Sequence, residues 1–109
     1  MKINLGKTEK IHFIGIGGIG MSGLALIMSG LGFKVQGSDI LENKNIERLK
    51  EKKIKVFLGH KSKNLDKSTV LVISSAIKKN NIEYKSAKKL NMPIYSRGEM
   101  LGHIVSLMR

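Results

Sequence analysis

Cysteine is absent from the 109-residue chain. That excludes a disulfide framework, a thiolate zinc site and a cysteine nucleophile, and it is compatible with a reducing cytoplasm. Aromatic residues are few: Phe13, Phe33, Phe57, Tyr84 and Tyr95 are the complete set. None sits in the basic–aromatic pattern that stacks nucleic-acid bases. Long apolar runs are missing as well. The longest uncharged stretch, Ile11 to Phe33, is broken by nine glycines and serines and by His12, and it follows a polar, charged start. This points away from a membrane span or a secretory signal.

Arginine is scarce too. The net charge is +12, yet only Arg48, Arg97 and Arg109 of the 20 basic residues are arginines. Bidentate recognition of bases and phosphates falls mainly to arginine, whereas lysine is a hydrated point charge. The lysines are scattered from Lys2 to Lys89. The expectation is therefore a lysine-coated surface with neither nucleic acid nor membrane as partner, its excess charge helping to attract an anionic ligand.

What remains is an alternation of short apolar runs and amphipathic stretches. Ile11 to Gly15 reads as a buried strand. Gly20 to Leu31 reads as a helix, because Met21, Leu24, Ala25 and Met28 share one face, and Gly32 stands where such a helix stops. Lys34 to Gly37, Lys55 to Leu58, Thr69 to Ile73 and the stretch after Pro93 complete five strands. Asn43 to Lys52, Asn81 to Leu90 and Arg97 to Met108 are the intervening and final helices. Strict alternation predicts an α/β, Rossmann-like open parallel sheet of about five strands with helices on both faces, in the order 3-2-1-4-5. Residues 1–109 form one domain. Residues 1–9 read as a loose lead-in. The helical pattern still running at Arg109 suggests a domain from a longer chain.

Gly15, Gly17 and Gly20 form G-x-G-x-x-G where the first strand meets the first helix. Glycines there permit a tight turn, let the backbone approach a phosphate, and pack helix closely on strand. The helix start adds unpaired N–H groups and partial positive charge, and Ser22 could add a hydroxyl. A second phosphate-like string, Gly6-Lys7-Thr8, lacks both the earlier glycine and the flanking strand and helix of a P-loop. It is read as coincidence, leaving no evident ATP site.

Ligands of open parallel sheets sit beyond the carboxyl ends of the strands. Those exits carry Gly15 to Ser22, Ser38-Asp39, Gly59-His60, Ser74-Ser75-Ala76 and Ser96-Arg97, whereas the opposite ends carry Lys10, Lys34, Lys55 and Lys67. Asp39 falls nineteen residues after Gly20, where a carboxylate binds ribose hydroxyls or else caps a turn. His60 could bond a base or ribose, or simply occupy a turn. His12, inside the first strand, and His103, inside the last helix, read as structural or solvated. No spacing suggests a metal site or a nucleophile paired with a base.

The string "HFIGIGGIGMSGLA", followed in order by "GSD", "GH", "VISSAI" and "SRGEML", resembles the N-terminal domain of the Mur ligase family of peptidoglycan synthesis. The resemblance runs from about His12 to Arg109. The double glycine at Gly17-Gly18 and the trailing "GMSG" set it apart from the usual dehydrogenase fingerprint. They are more similar to the branch that joins L-alanine to UDP-N-acetylmuramate than to the murein-peptide ligases. The resemblance implies a UDP-binding domain. The loop Gly15, Gly17, Gly18, Ile19, Gly20, Met21 and Ser22 would hold the diphosphate, with Ser38, Asp39 and His60 toward the uridine and Ser74, Ser75 and Ala76 lining the crevice. Arg97 and Glu99 match the stretch before the hinge. It further implies that ATP, Mg2+ and L-alanine are handled by other domains, so that this stretch binds no cofactor, carries no catalytic residue and ligates nothing alone. The rival reading is the NAD-binding domain of an oxidoreductase, which shares the glycines and the acid. A nucleotide-sensing regulatory domain would look similar.

Overall fold

The computed structural model describes residues 3–108. Five strands, β1 (Lys10–Ile14), β2 (Lys34–Asp39), β3 (Lys55–Leu58), β4 (Val70–Ile73) and β5 (Ile94–Ser96), form one parallel sheet in the order β3-β2-β1-β4-β5. The helices are α1 (Ile19–Gly30), α2 (Lys44–Glu51), α3 (Ile82–Lys89) and α4 (Arg97–Leu107). The expected order and strand number hold.

Side chains of a strand alternate between its faces, and β1 shows the consequence. Ile11 and Phe13 enter a core completed by Met21, Leu24, Ala25 and Met28 of α1, Leu49 of α2, and Met100 and Ile104 of α4. Ile14 faces the other way, into a smaller core with Leu65, Leu71 and Ala87 of α3. His12 shares that second face and is fully buried there.

Local chemistry sets the helix ends. Gly32 adopts φ +98° just past α1, and the Phe33 amide bonds back to the Met28 carbonyl at 3.1 Å, a glycine-dependent stop. Asn43 and Asn81 cap α2 and α3 through their side chains, and Ser96 with Glu99 forms a reciprocal capping box on α4. The β3-to-β4 crossover is unlike the others. Its only helix is a four-residue 3₁₀ turn, Ser62–Leu65, which the sequence pattern did not indicate. Beside it lies a hollow of about 490 Å³ bordered by Lys10, Lys55, Lys61, Lys63 and Asp66. Lysines scattered in sequence thus meet in space, because parallel strands start on one edge.

Candidate functional site

The strand exits converge at one edge of the sheet, and the glycine loop lies at its centre. Of the loop glycines only Gly15 has a positive φ, +83°. Gly18 sits at φ −63° as the N-cap of α1. Turn strain therefore resides at Gly15, and not at Gly17 or Gly18.

Gly17 is glycine for a different reason. Its amide donates to Asp39 Oδ2 at 2.8 Å, while its carbonyl accepts from Asn43 Nδ2 at 3.2 Å and Asn45 Nδ2 at 2.9 Å. A β-carbon there would stand 2.7 Å from Asp39 Oδ2 and 3.0 Å from Ile46. The peptide is clamped from β2 and α2 together. No motif in the sequence marks Asn43 or Asn45 for this role; Asn43 is legible only as a helix-capping type. At Gly18, by contrast, a β-carbon would find only ordinary contacts, the nearest at 3.5 Å. At Gly20 it would meet the Arg97 side chain at 2.9 Å. Arg97 therefore lies across the start of α1.

The first intrahelical bond of α1 runs from the Ser22 amide to the Gly18 carbonyl, and no side chain caps the helix. The amides of Ile19, Gly20 and Met21 are the ones that precede it. Gly18, Ile19 and Gly20 are exposed, and Ile19 strongly so at 88%. Met21 and Ser22 are buried. Met21 belongs to the core, and the Ser22 hydroxyl turns back to the Ile19 carbonyl at 3.2 Å. Across the loop, Ser74, Ser75, Ser96, Arg97 and Gly98 line a pocket of about 230 Å³. Ser75, Ala76 and Arg97 are exposed, and Ser74 is half-buried.

Asp39 and His60 stand on the other side. The Gly59 amide bonds the Asp39 carbonyl at 2.7 Å, which sets the exits of β2 and β3 side by side. Asp39 Oδ1 also accepts from the Ile40 amide at 2.7 Å. Each carboxylate oxygen thus holds a backbone N–H and keeps further lone-pair capacity. Ser38 is fully buried, and its hydroxyl bonds Glu83 Oε1 at 2.6 Å and His60 Nδ1 at 2.9 Å.

Glu83, which no pattern in the sequence marks, is the hub beneath this edge. It is fully buried. Oε1 accepts from His12 Nε2 at 2.7 Å and from Ser38; Oε2 accepts from the Lys61 amide at 3.0 Å and Asn64 Nδ2 at 2.7 Å. Burial alone would raise its pKa. The hydrogen bonds from His12, Ser38 and Asn64 outweigh that and lower it to about 2. Gln36 completes the set, donating to His12 Nδ1 and to the Asn64 carbonyl, each at 2.7 Å. His12 is thus structural. No periodicity marks such a cluster, because its members come from β1, β2, α3 and the 3₁₀ turn.

Gly6-Lys7-Thr8 lies in the turn before β1. The Lys7 ammonium bonds the Leu31 carbonyl and covers the Phe33 ring at 4.4 Å, at the far end of α1 from the glycine loop. Among the described residues no three His, Asp or Glu side chains gather as a metal would require, and no helix is long and apolar enough to cross a membrane.

Comparison with known proteins agrees with this layout. The family model described as "Mur ligase family, catalytic domain" matches residues 10–109. A UDP-N-acetylmuramate–L-alanine ligase of Pelagibacter ubique is 67% identical over 107 residues, covering 98% of this chain and 23% of that protein. Among solved structures, the UDP-N-acetylmuramate–alanine ligase of Thermotoga maritima superposes with a TM-score of 0.81 at 35% identity, over 84% of this chain and 21% of that one. The UDP-N-acetylmuramate:L-alanyl-γ-D-glutamyl-meso-diaminopimelate ligase of Neisseria meningitides gives 0.76 at 34% identity, over 82% and 28%. The chain spans less than a quarter of the Pelagibacter relative's length.

Proposed function

The chain belongs to the Mur ligase family, and on that premise we propose that it is the UDP-N-acetylmuramate-binding domain of an L-alanine-adding ligase in peptidoglycan synthesis. The observation that carries this reading is the start of α1. Three amides precede its first internal bond, no side chain caps them, and Arg97 lies alongside. A diphosphate placed there gains hydrogen bonds, the helix dipole and a guanidinium. The uridine would extend toward Asp39 and His60, and the sugar toward the pocket of Ser74, Ser75 and Ser96.

The side chains of Met21 and Ser22 support the loop from within and leave ligand contact to the backbone of Ile19, Gly20 and Met21. Ser38 acts through His60. ATP and Mg2+ are assigned to the rest of such a ligase, and Lys7 is engaged at the far end of α1 from the glycine loop. Activation of the muramoyl carboxylate and alanine recognition are assigned to the remainder of such a ligase.

Titration calorimetry with UDP-N-acetylmuramate and with NAD tests the reading. Preference for the nucleotide sugar is expected. Tighter binding of NAD would replace it with the oxidoreductase alternative.

A further inference from the structure

Hydrogen-bond direction along the buried cluster is fixed by donor count. An ionised carboxylate only accepts, so the Ser38 hydroxyl, 2.6 Å from Glu83 Oε1, gives its one proton to that oxygen. At 2.9 Å from His60 Nδ1, the same hydroxyl can then only accept. His60 Nδ1 must therefore carry hydrogen, and in the neutral ring Nε2 is a bare acceptor. No buried side-chain nitrogen or oxygen among the described residues lacks a hydrogen-bond partner. His60 Nε2 has no bond to another described residue, so it opens to solvent at the edge that carries Asp39.

We infer that Glu83 is a positioning residue: through Ser38 it locks neutral His60 as the Nδ1–H tautomer, which presents Nε2 to a hydrogen-bond donor on the nucleoside. This rests on the UDP-binding reading above and specifies what that site recognises. A uracil ring offers an imide N–H, and the ribose offers hydroxyls. Cytosine presents a lone pair at the corresponding ring nitrogen, which would face the Nε2 lone pair.

The rest of the cluster makes the lock testable. The Lys61 amide is an obligatory donor at Oε2, so Glu83→Gln must keep its oxygen there and turn its amide group toward Ser38 and toward the His12 Nε2–H, an opposition of donors that costs stability. Ser38 then accepts from the amide and donates to His60, which inverts the ring to the Nε2–H tautomer.

Nitrogen-15 NMR of the histidine rings in the wild-type chain, at a pH where His60 is neutral, reads the tautomer without any ligand. Protonated Nδ1 is expected, and protonated Nε2 overturns the inference. Calorimetry with UDP, 3-methyl-UDP and 2′-deoxy-UDP then separates the two donor sources. Loss of one donor should weaken binding by about tenfold: loss with 3-methyl-UDP assigns Nε2 to the imide, and loss with 2′-deoxy-UDP that persists in Asp39→Ala assigns it to the ribose. Unchanged affinity for both overturns recognition by Nε2. Failure of UDP itself to bind would instead remove the site reading and the recognition step together, while the wild-type spectrum still decides whether Glu83 sets the tautomer. In Glu83→Gln, if it folds, the tautomer should invert and the difference between UDP and the donor-lacking analogue should vanish. A folded variant that keeps wild-type tautomer and selectivity would count against the lock.

Discussion

Asp39 Oδ2 lies 2.8 Å from the Gly17 amide, joining the exit of β2 to the middle of the glycine loop across 22 residues. The carboxylate proposed to face the nucleoside is thus also the tether of the loop proposed to hold the diphosphate. Asp39→Ala should lose both. We expect a loss of about 1.5–3 kcal/mol in UDP-N-acetylmuramate affinity, with a smaller drop in stability. Asp39→Asn, which keeps an acceptor for Gly17, should retain more of each. Calorimetry beside urea unfolding checks this; lost stability with unchanged affinity would confine Asp39 to tethering.

Gly17 and Gly18 should separate folding from binding. A β-carbon at Gly17 collides with Asp39 and Ile46, so Gly17→Ala should destabilise the fold by about 1–3 kcal/mol. Gly18→Val has room for its β-carbon and needs no positive φ, yet it places a branched side chain over the proposed phosphate site. Its unfolding midpoint should stay near wild type while affinity falls at least ~10-fold. Wild-type affinity in Gly18→Val would move the phosphate elsewhere.

Arg97 is exposed and lies over Gly20. Arg97→Ala should weaken the diphosphate by about 1.5–3 kcal/mol, the range for a hydrogen bond to a charged group, and change stability by less than about 0.5 kcal/mol. Comparing UDP with uridine isolates the contribution, since uridine has no phosphate and should bind the two proteins alike.

Acid should act through Glu83. Its pKa falls from the ordinary 4.5 to about 2 in the folded chain. The stability it contributes is complete above about pH 4.5 and is lost as pH falls through 2. A shift of this size is worth about 3 kcal/mol. Urea midpoints across that window should decline in the wild type, and the decline should flatten in Glu83→Gln. Parallel curves for the two proteins would mean that other carboxylates govern acid unfolding.

Sheet order, helix faces and the glycine loop were legible because each follows from local periodicity and handed crossovers. The places of Asp39 and Arg97 at strand exits were legible for the same reason. The inward turn of the Met21 and Ser22 side chains was not legible, because a loop motif does not say which of its side chains are buried once the helix begins. Glu83 was invisible for a different reason. It stands in a polar-looking helix start, N-I-E-Y-K, and only the approach of His12, Ser38 and Asn64 from other elements gives its carboxylate a role. The meeting of Lys10 and Lys55 with Lys61 and Lys63 is likewise a property of the sheet edge, not of any segment.

The buried cluster also constrains the order in which the chain can become native. His12 and Glu83 are 71 residues apart, and β1 gains its second neighbour only when Val70 pairs with Ile11. The first half, β1 through β3, can bring its strands together early. It would then hold His12 and Ser38 on a face without their shared acceptor, a costly state for polar groups out of water. Arrival of α3 relieves that cost in one step. Folding should therefore be cooperative across the whole chain, with the amides of β1 and β2 gaining full protection from hydrogen exchange only when α3 docks.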